Sequence, residues 1–390
     1  MASIAFGLGV ILWLQCVLEG RNRNMIETVT STQTGHLQVF REEFYKTRLI
    51  QHTLEDVPPG LEALLPPGSE IARRLYFPAL LSSGEQSVPV MIEGIEPERE
   101  GKITKIASSL KQGAFLSPDP SGLCEIKELY IGGATAQILN VEVGSKVVML
   151  GAAADGSLGN DLFRVKGIFE TGSPDFDKGM AFSSLGCVRK VAAVQGIHEV
   201  VIKLPHDSFT RPVQAAIQAR LPAGVTAITW MKAVPRLASV LKYNEATLVM
   251  VSVLLFCVMV FGIMNTLFVS IFERTREFGL MIALGTLPSQ VRAIVFMESL
   301  LMGSVSSLAG TGVGSLVVLY HRYRGFDIRP FVGESSSIGE FNLDFILYPQ
   351  FEFIGFLKYL ALANVLILFA GILPAIRASR LNPVETLRSN

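Results

Sequence analysis

Residues 246–272 form an uncharged, strongly apolar run that ends abruptly on Glu273-Arg274-Thr275-Arg276-Glu277. An α-helix rises 1.5 Å per residue, so a helix over this run exceeds the ~30 Å hydrocarbon core of a bilayer. Three more runs accompany it. Residues 1–18 and 299–320 carry no charge, and 353–376 carries only Lys358, near its start, where a lysine reaches the membrane interface. Overall the chain is 49% hydrophobic and 17% charged. A soluble protein can reach that balance, but it does not concentrate its apolar residues in four unbroken runs, and four buried core helices of such length are not expected.

The expected fold class is an α-helical membrane protein with four transmembrane helices plus a large α+β extracytoplasmic (periplasmic) domain. Transmembrane helix 1 is expected over residues 1–18 and the outer domain over 19–244. Helix 2 follows at 245–272, a cytoplasmic segment at 273–290 and helix 3 at 291–320. An outer loop covers 321–351, helix 4 covers 352–374 and a cytoplasmic tail 375–390. Arg274, Arg276 and Arg292 sit in the short segment after the second run, and Arg377, Arg380 and Arg388 after the fourth. Basic residues favour the cytoplasmic side, which leaves the large domain outside. Arg21 and Arg23 go against this rule, and Met1 nearly touches the apolar run, so helix 1 reads as incomplete at its N-terminus. A cleaved signal peptide suits residues 1–18 poorly, because Trp13-Leu14-Gln15 before Cys16 is too bulky for a cleavage site.

The net charge of zero argues against nucleic acid as a partner. Cys16 and Cys257 lie in apolar runs and read as packing residues. Cys124 and Cys187 lie in the outer domain, where an oxidising compartment permits a disulfide, although spacing alone leaves their pairing open.

Within the outer domain, 35–41 reads as a strand, and Pro58-Pro59-Gly60 and Pro66-Pro67-Gly68 bracket a short helical segment. Residues 71–81 and 87–95 read as a strand pair turning at Ser82-Ser83-Gly84, and 102–112 as a helix. A β-rich insertion is expected over about 113–198, with strands at 147–150, 161–169 and 179–183. The strand at 199–204, helix at 211–220 and strand at 225–230 form a β-α-β unit. From Met231 a helix is expected to run unbroken into the second apolar run.

No catalytic residue, cofactor site or metal site is expected. The chain has no G-x-x-x-x-G-K-[ST], H-E-x-x-H, C-x-x-C or G-x-S-x-G motif. His36, His52, His198 and His206 are scattered through the outer domain. Leu81-Ser82-Ser83-Gly84-Glu85-Gln86 looks like an ATPase signature but reads as a Ser-Gly hairpin turn. Energy for any work must come from another chain.

The residues that would receive it lie in 273–287 (ERTREFGLMIALGTL), a charged first turn followed by an apolar remainder. Phe278, Met281, Ile282 and Gly285 share one face at i, i+3, i+4 and i+7, and Glu273 and Arg276 are spaced to pair. An ordinary interfacial helix would share this pattern. The motif E-R-T-R-E-[IF]-G-x-x-x-A-L-G is more specific. Carried by Glu273, Arg274, Thr275, Arg276, Glu277, Phe278, Gly279, Ala283, Leu284 and Gly285, it resembles the cytoplasmic coupling segment of FtsX/MacB-type (type VII) ABC transporter permeases. A second match is the tail P-A-x-R-A-[AS]-x-x-x-P-[VI]-E-x-L-R, at Pro374, Ala375, Arg377, Ala378, Ser379, Pro383, Val384, Glu385, Leu387 and Arg388. The outer domain is most similar to the LolC/LolE lipoprotein-releasing branch. The matches are Gly35-His36-Leu37-Gln38-Val39, Ile92-Glu93-Gly94-Ile95-Glu96-Pro97, Ile131-Gly132-Gly133, Val143-Gly144, 165–169 (VKGIF) and 323–331 (YRGFDIRPF).

That resemblance implies a permease, itself not an enzyme, that is driven by a cytoplasmic ABC ATPase dimer and paired with a second permease copy or paralogue. The ATPase-coupling residues would be Glu273, Arg274, Arg276, Glu277, Phe278, Gly279, Met281, Leu284 and Gly285. The implied substrate is a lipoprotein or another amphiphile, handled among membrane lipids and passed to a periplasmic carrier or adaptor. MacB-like export of peptides or amphiphiles and FtsX-like signalling to cell-wall hydrolases are the alternatives. Thr286-Leu287-Pro288 departs from the small residues usual after A-L-G, and Pro288 is expected to end the coupling helix early. Gly310 and Gly314 are spaced for close helix contact.

Overall fold

The computed structural model describes residues 2–119, 121–332, 337–338, 341–342 and 346–379. The chain divides into two units: Met1–Asn24, Ser239–Glu334 and Asp344–Asn390 make one, and Met25–Ala238 with Ser335–Leu343 the other.

In the first unit the apolar runs become helices. Among the described residues four helices are long and apolar enough to cross a membrane: Ile4–Thr34, Pro235–Glu273, Pro288–Arg324 and Phe353–Ala378. The first α-helix proper is Ala2–Val29, so it continues well past residue 18 through polar sequence. Ile4, Leu8, Ile11 and Leu12 pack with Phe256, Met259, Ile263 and Leu267 and with Ala363, Ile367 and Ala370 to make the bundle core. A Cβ on Gly314 would sit 2.9 Å from the Gly9 Cα, and one on Gly310 would sit 2.8 Å from the Ala5 Cα. The Gly310/Gly314 pair is thus used inside the molecule, letting the third long helix lie directly on the first. Large apolar side chains such as Phe261, Leu308 and Phe369 point outward from the second, third and fourth long helices. Arg21, the apparent exception to the charge rule, hydrogen-bonds the Asn244 carboxamide, and Asn244 Nδ2 in turn donates to Asn22 Oδ1 at 2.8 Å. Its charge therefore has a local structural partner.

The main sheet of the second unit has ten strands: β1 (Leu37–Arg41), β2 (Glu70–Ser82), β3 (Ser87–Ile95), β4 (Leu110–Gly113), β5 (Glu128–Gly132), β6 (Lys146–Ala152), β7 (Leu158–Phe169), β8 (Met180–Ser184), β9 (Glu199–Lys203) and β10 (Val225–Thr229). They run in the order β10-β1-β9-β2-β3-β8-β5-β7-β4, with β6 bridging β2 and β7. The long β2 explains how one sheet serves two purposes. Its first residues, 70–74, pair with β9, whereas Leu80–Ser82 pair with β6. Strands β2, β3, β8, β5, β7 and β6 therefore close into a ring, while β9, β1 and β10 extend from the other half of β2 as an open sheet. Strands β9 and β10 both run antiparallel to β1, which lies between them, and helix Thr210–Gln218 connects them. This is the β-α-β unit read from the sequence, split by β1. Leu75, Phe77, Ile92, Val147, Phe163 and Val188 belong to the main core.

Two local expectations change, and one open point is settled. The helix expected over 102–112 is instead a helix over Pro97–Ile103, a 3-10 turn over Ile106–Ser109 and then β4. Pro97 suits a helix start, and Thr104 turns extended (φ −114°, ψ 159°), which frees Leu110–Gly113 to pair with β7. The helix from Met231 is also interrupted. Trp230–Ala233 forms one turn, Val234 leaves the helical region (φ −122°, ψ 75°), and the second long helix starts at Pro235. Proline disfavours helical geometry in the residue before it, so the break falls at Val234. From Pro235 to Glu273 the helix is continuous. Finally, Cys124 and Cys187 form a disulfide with Cα atoms 4.5 Å apart, a pairing that the sequence left open.

Candidate coupling site

The second long helix stops at Glu273, and Arg274 (φ −104°, ψ 13°) makes the joint before a short helix over Thr275–Ala283. Arg274 holds this joint from three sides. Its Nε donates to Glu277 at 3.0 Å, its Nη1 reaches Glu298 of the third long helix at 3.1 Å, and its guanidinium lies 5.2 Å from the Phe278 ring centroid. The two carboxylates, Glu277 foremost, hold the guanidinium more firmly charged than usual. The ion pair is Arg274–Glu277; among the described residues Glu273 and Arg276 do not pair, and both are exposed.

Phe278 anchors the short helix. It is buried with Ile271, Val291 and Val295, and with Ala375 and Ala378 of the fourth long helix. The two motifs of the sequence, far apart in the chain, thus meet in one apolar cluster. Pro374, Ala375, Arg377, Ala378 and Ser379 of the second motif are described. Arg380, Pro383, Val384, Glu385, Leu387 and Arg388 lie outside the described residues. Gly279 is buried beside Phe278.

The opposite side of the helix is open. Leu280, Met281, Leu284 and Leu287 are exposed, Leu284 by 79%. Met281 therefore does not share the inward face of Phe278 and Ile282 that helical spacing suggested. Pro288 also has a different role from the one expected. The short helix ends at Ala283 through a left-handed Gly285 (φ +99°), with Gly285 N–H donating to the Ile282 carbonyl and Thr286 N–H to the Met281 carbonyl, both at 3.0 Å. This is a Schellman stop, for which glycine carries no Cβ penalty. Pro288 instead opens the next helix, where its missing N–H costs nothing, and the Gln290 side chain accepts from Leu287 N–H at 3.0 Å. Sequence spacing located the segment but could not tell which apolar residues face the bundle. Among the described residues no group of three or more His, Cys, Asp or Glu could hold a metal ion.

Comparison with known proteins matches residues 249–383, which include this site, to the FtsX-like permease C-terminal family. The lipoprotein-releasing system transmembrane protein LolC of Xylella fastidiosa is 24% identical over 79% of this chain and 75% of its own length. LolE of Haemophilus influenzae is 21% identical over 100% of this chain and 93% of its own. The macrolide export ATP-binding/permease protein MacB of Photorhabdus laumondii is 31% identical, over 36% of this chain and 19% of its own. The periplasmic region of MacB from Actinobacillus actinomycetemcomitans aligns with 53% of this chain and 94% of that region at 13% identity, with a TM-score of 0.36, too distant a likeness to carry an argument. Residues 249–383 thus match the FtsX-like permease C-terminal family, and the chain is homologous to LolC, LolE and MacB.

Proposed function

We propose that this permease sits in a bacterial inner membrane, with four spanning helices and its second unit in the periplasm, and releases lipoproteins using ATP hydrolysed by a separate cytoplasmic ATPase. The observation that carries this reading is the two-sided coupling helix. Phe278 ties it to the bundle, while Leu280, Met281 and Leu284 form an exposed apolar face. Exposed apolar clusters of this kind fit a protein contact. Glu273 and Arg276 flank it as exposed charges able to set partner and register. Closure of the ATPase dimer would press on this helix, and the 39-residue helix Pro235–Glu273 would carry the displacement.

The outward location of the second unit is supported by the Cys124–Cys187 disulfide, since such bonds persist in oxidising compartments. It is also supported by the clustering of Arg274, Arg276 and Arg292 at one end of the bundle helices. The lipoprotein substrate is favoured because similarity to LolE extends through the second unit, whereas similarity to MacB covers 36% of the chain. A second permease copy or paralogue would complete the transporter.

The test is reconstitution of the permease with its ATPase in proteoliposomes carrying a lipid-modified protein. ATP should release that protein, and reversing the charge at Glu273 or Arg276 should leave ATP hydrolysis running without release. ATP-driven export of a macrolide or peptide without lipoprotein release would transfer the assignment to efflux, and activation of a wall hydrolase without release would transfer it to signalling. Unchanged coupling in both charge variants would remove the coupling assignment.

A further inference from the structure

Two long helices lead into the second unit, and they end there in different ways. The first, Ala2–Val29, passes directly into a π-helical turn over Thr30–Thr34 and then, after Gly35 and His36, into β1. Two donors grip that turn. Arg74 Nη1 donates to the Gln33 carbonyl, and Lys105 N–H donates to the Ser31 carbonyl at 2.6 Å. Arg74 is itself held fast: it is 2% exposed, with Nη2 at 2.5 Å from Glu100 Oε1 and Nε at 2.7 Å from Glu93 Oε1. Glu199, buried in the same group, accepts from Tyr76 Oη–H at 2.7 Å. The grip on the first helix thus draws on β2, β3, β9 and the helix over Pro97–Ile103, and pulling a buried ion pair apart is costly.

The second helix lacks this continuity. The turn Trp230–Ala233 belongs to the sheet: Trp230 N–H donates to the His36 carbonyl at 3.1 Å, and its Nε1 donates to Asp207 at 2.7 Å. Val234 then leaves helical geometry (φ −122°, ψ 75°), and the long helix begins only at Pro235. Proline has no N–H to bond back across the joint, so the joint bends more easily than a helix interior.

The two helices meet within the first unit. Asn244 of the second long helix is buried; it accepts from Arg21 Nη2 and donates to Asn22 Oδ1 at 2.8 Å. Arg21 and Asn22 both lie on the first helix. These bonds are directional, and one has a charged donor, so they resist sliding of one helix along the other in a way that apolar packing does not.

We propose that Arg21, Asn22 and Asn244 form a relay: displacement of the second long helix passes to the first at Asn244 and enters the sheet through Arg74, bypassing the joint at Val234. Arg21 and Asn244 are positioning residues that act through the first helix. The relay rests on the coupling reading above, in which the coupling helix displaces Pro235–Glu273. Its rival is a rod that pushes straight through Val234.

The test is hydrogen–deuterium exchange of the full-length permease with its ATPase in lipid nanodiscs, without nucleotide and after vanadate trapping. In the parent, trapping should change the exchange of amides in 31–36 and 97–105, around the grip. Two glycines inserted between Val234 and Pro235 should leave that change in place, because the joint carries no push. Arg21→Ala combined with Asn244→Ala removes both partners and strands no buried charge. It should keep ATP hydrolysis and the melting temperature of the second unit, yet lose the change. The relay is overturned if the insertion abolishes the change or if the double variant retains it. An unchanged parent that still hydrolyses ATP would refute the coupling reading, and the relay with it. Should the double variant not fold, the insertion alone decides, since a rod through Val234 predicts loss there.

Discussion

His198 gives the second unit a measurable acid sensitivity. Its ring is fully buried; Nδ1 accepts the Tyr76 backbone N–H at 3.0 Å, and Nε2 donates to the Ile50 carbonyl at 2.8 Å. Those two bonds require the neutral ring, because a protonated Nδ1 would face the Tyr76 N–H with a hydrogen of its own. Burial first of all lowers its pKa from 6.5 to about 4. The unfolded chain therefore takes up this proton as pH falls through about 6.5, and the folded chain only near 4. Stability contributed by the neutral ring is thus lost as pH falls through that window. At 1.36 kcal/mol per pKa unit the loss between about pH 7 and pH 4.5 is about 2 kcal/mol, or roughly 4–8 °C in the melting temperature of a unit this size. Glu93 and Glu199 act in the opposite sense. Their raised pKa values keep protons on the folded state, so they lend stability as pH falls toward the usual carboxylate range. The His198 share must therefore be read as a difference between the parent and His198→Asn. Trp230 is buried in this unit, so its fluorescence in a Trp13→Phe background follows the melt. The parent should lose about 2 kcal/mol more than His198→Asn between those two pH values. Parallel pH profiles would refute the neutral, doubly bonded imidazole.

Other perturbations test the two units separately. Replacing Cys187 with Ala removes a cross-link between residues 63 apart in sequence, so the Trp230 transition should fall by about 2–4 kcal/mol, and reductant should do the same to the parent only. In the bundle, Gly310→Leu must push the third long helix away from the Ala5 backbone. Overpacking of this kind costs about 1–3 kcal/mol, readable as a lower melting temperature in detergent, whereas Gly312→Leu, which meets open space, should be neutral.

Much of this architecture is visible in the sequence because it is written in local patterns. The apolar runs become long helices, and the alternation over 71–81 and 87–95 becomes the paired β2 and β3. The E-R-T-R-E and P-A-x-R-A motifs are recognisable as strings, but only folding brings Phe278 onto Ala375 and Ala378. Helical spacing put Met281 inward because it cannot locate the neighbouring helices. Residues 110–112 read as helix in the sequence because their strand character comes from the partner β7, not from their own side chains. The buried Arg74–Glu93–Glu100–Glu199 cluster was invisible for the same reason: its members come from β2, β3, β9 and the helix over Pro97–Ile103, and each alone looks like a surface charge. One signal was available, the Arg73-Arg74 pair on a strand, where alternation forces one of the two inward.

The central claim is that the exposed face of the coupling helix is where the ATPase docks, and Leu284 tests it most directly. At 79% exposure Leu284→Asp should leave the stability of the permease within about 0.5 kcal/mol. Burying a leucine on docking is worth about 1.5–3 kcal/mol, so the affinity of the purified permease for its ATPase should fall by roughly tenfold to a hundredfold. An unchanged affinity with an unchanged melting temperature would contradict the account, because the face would then be free of the partner it is assigned.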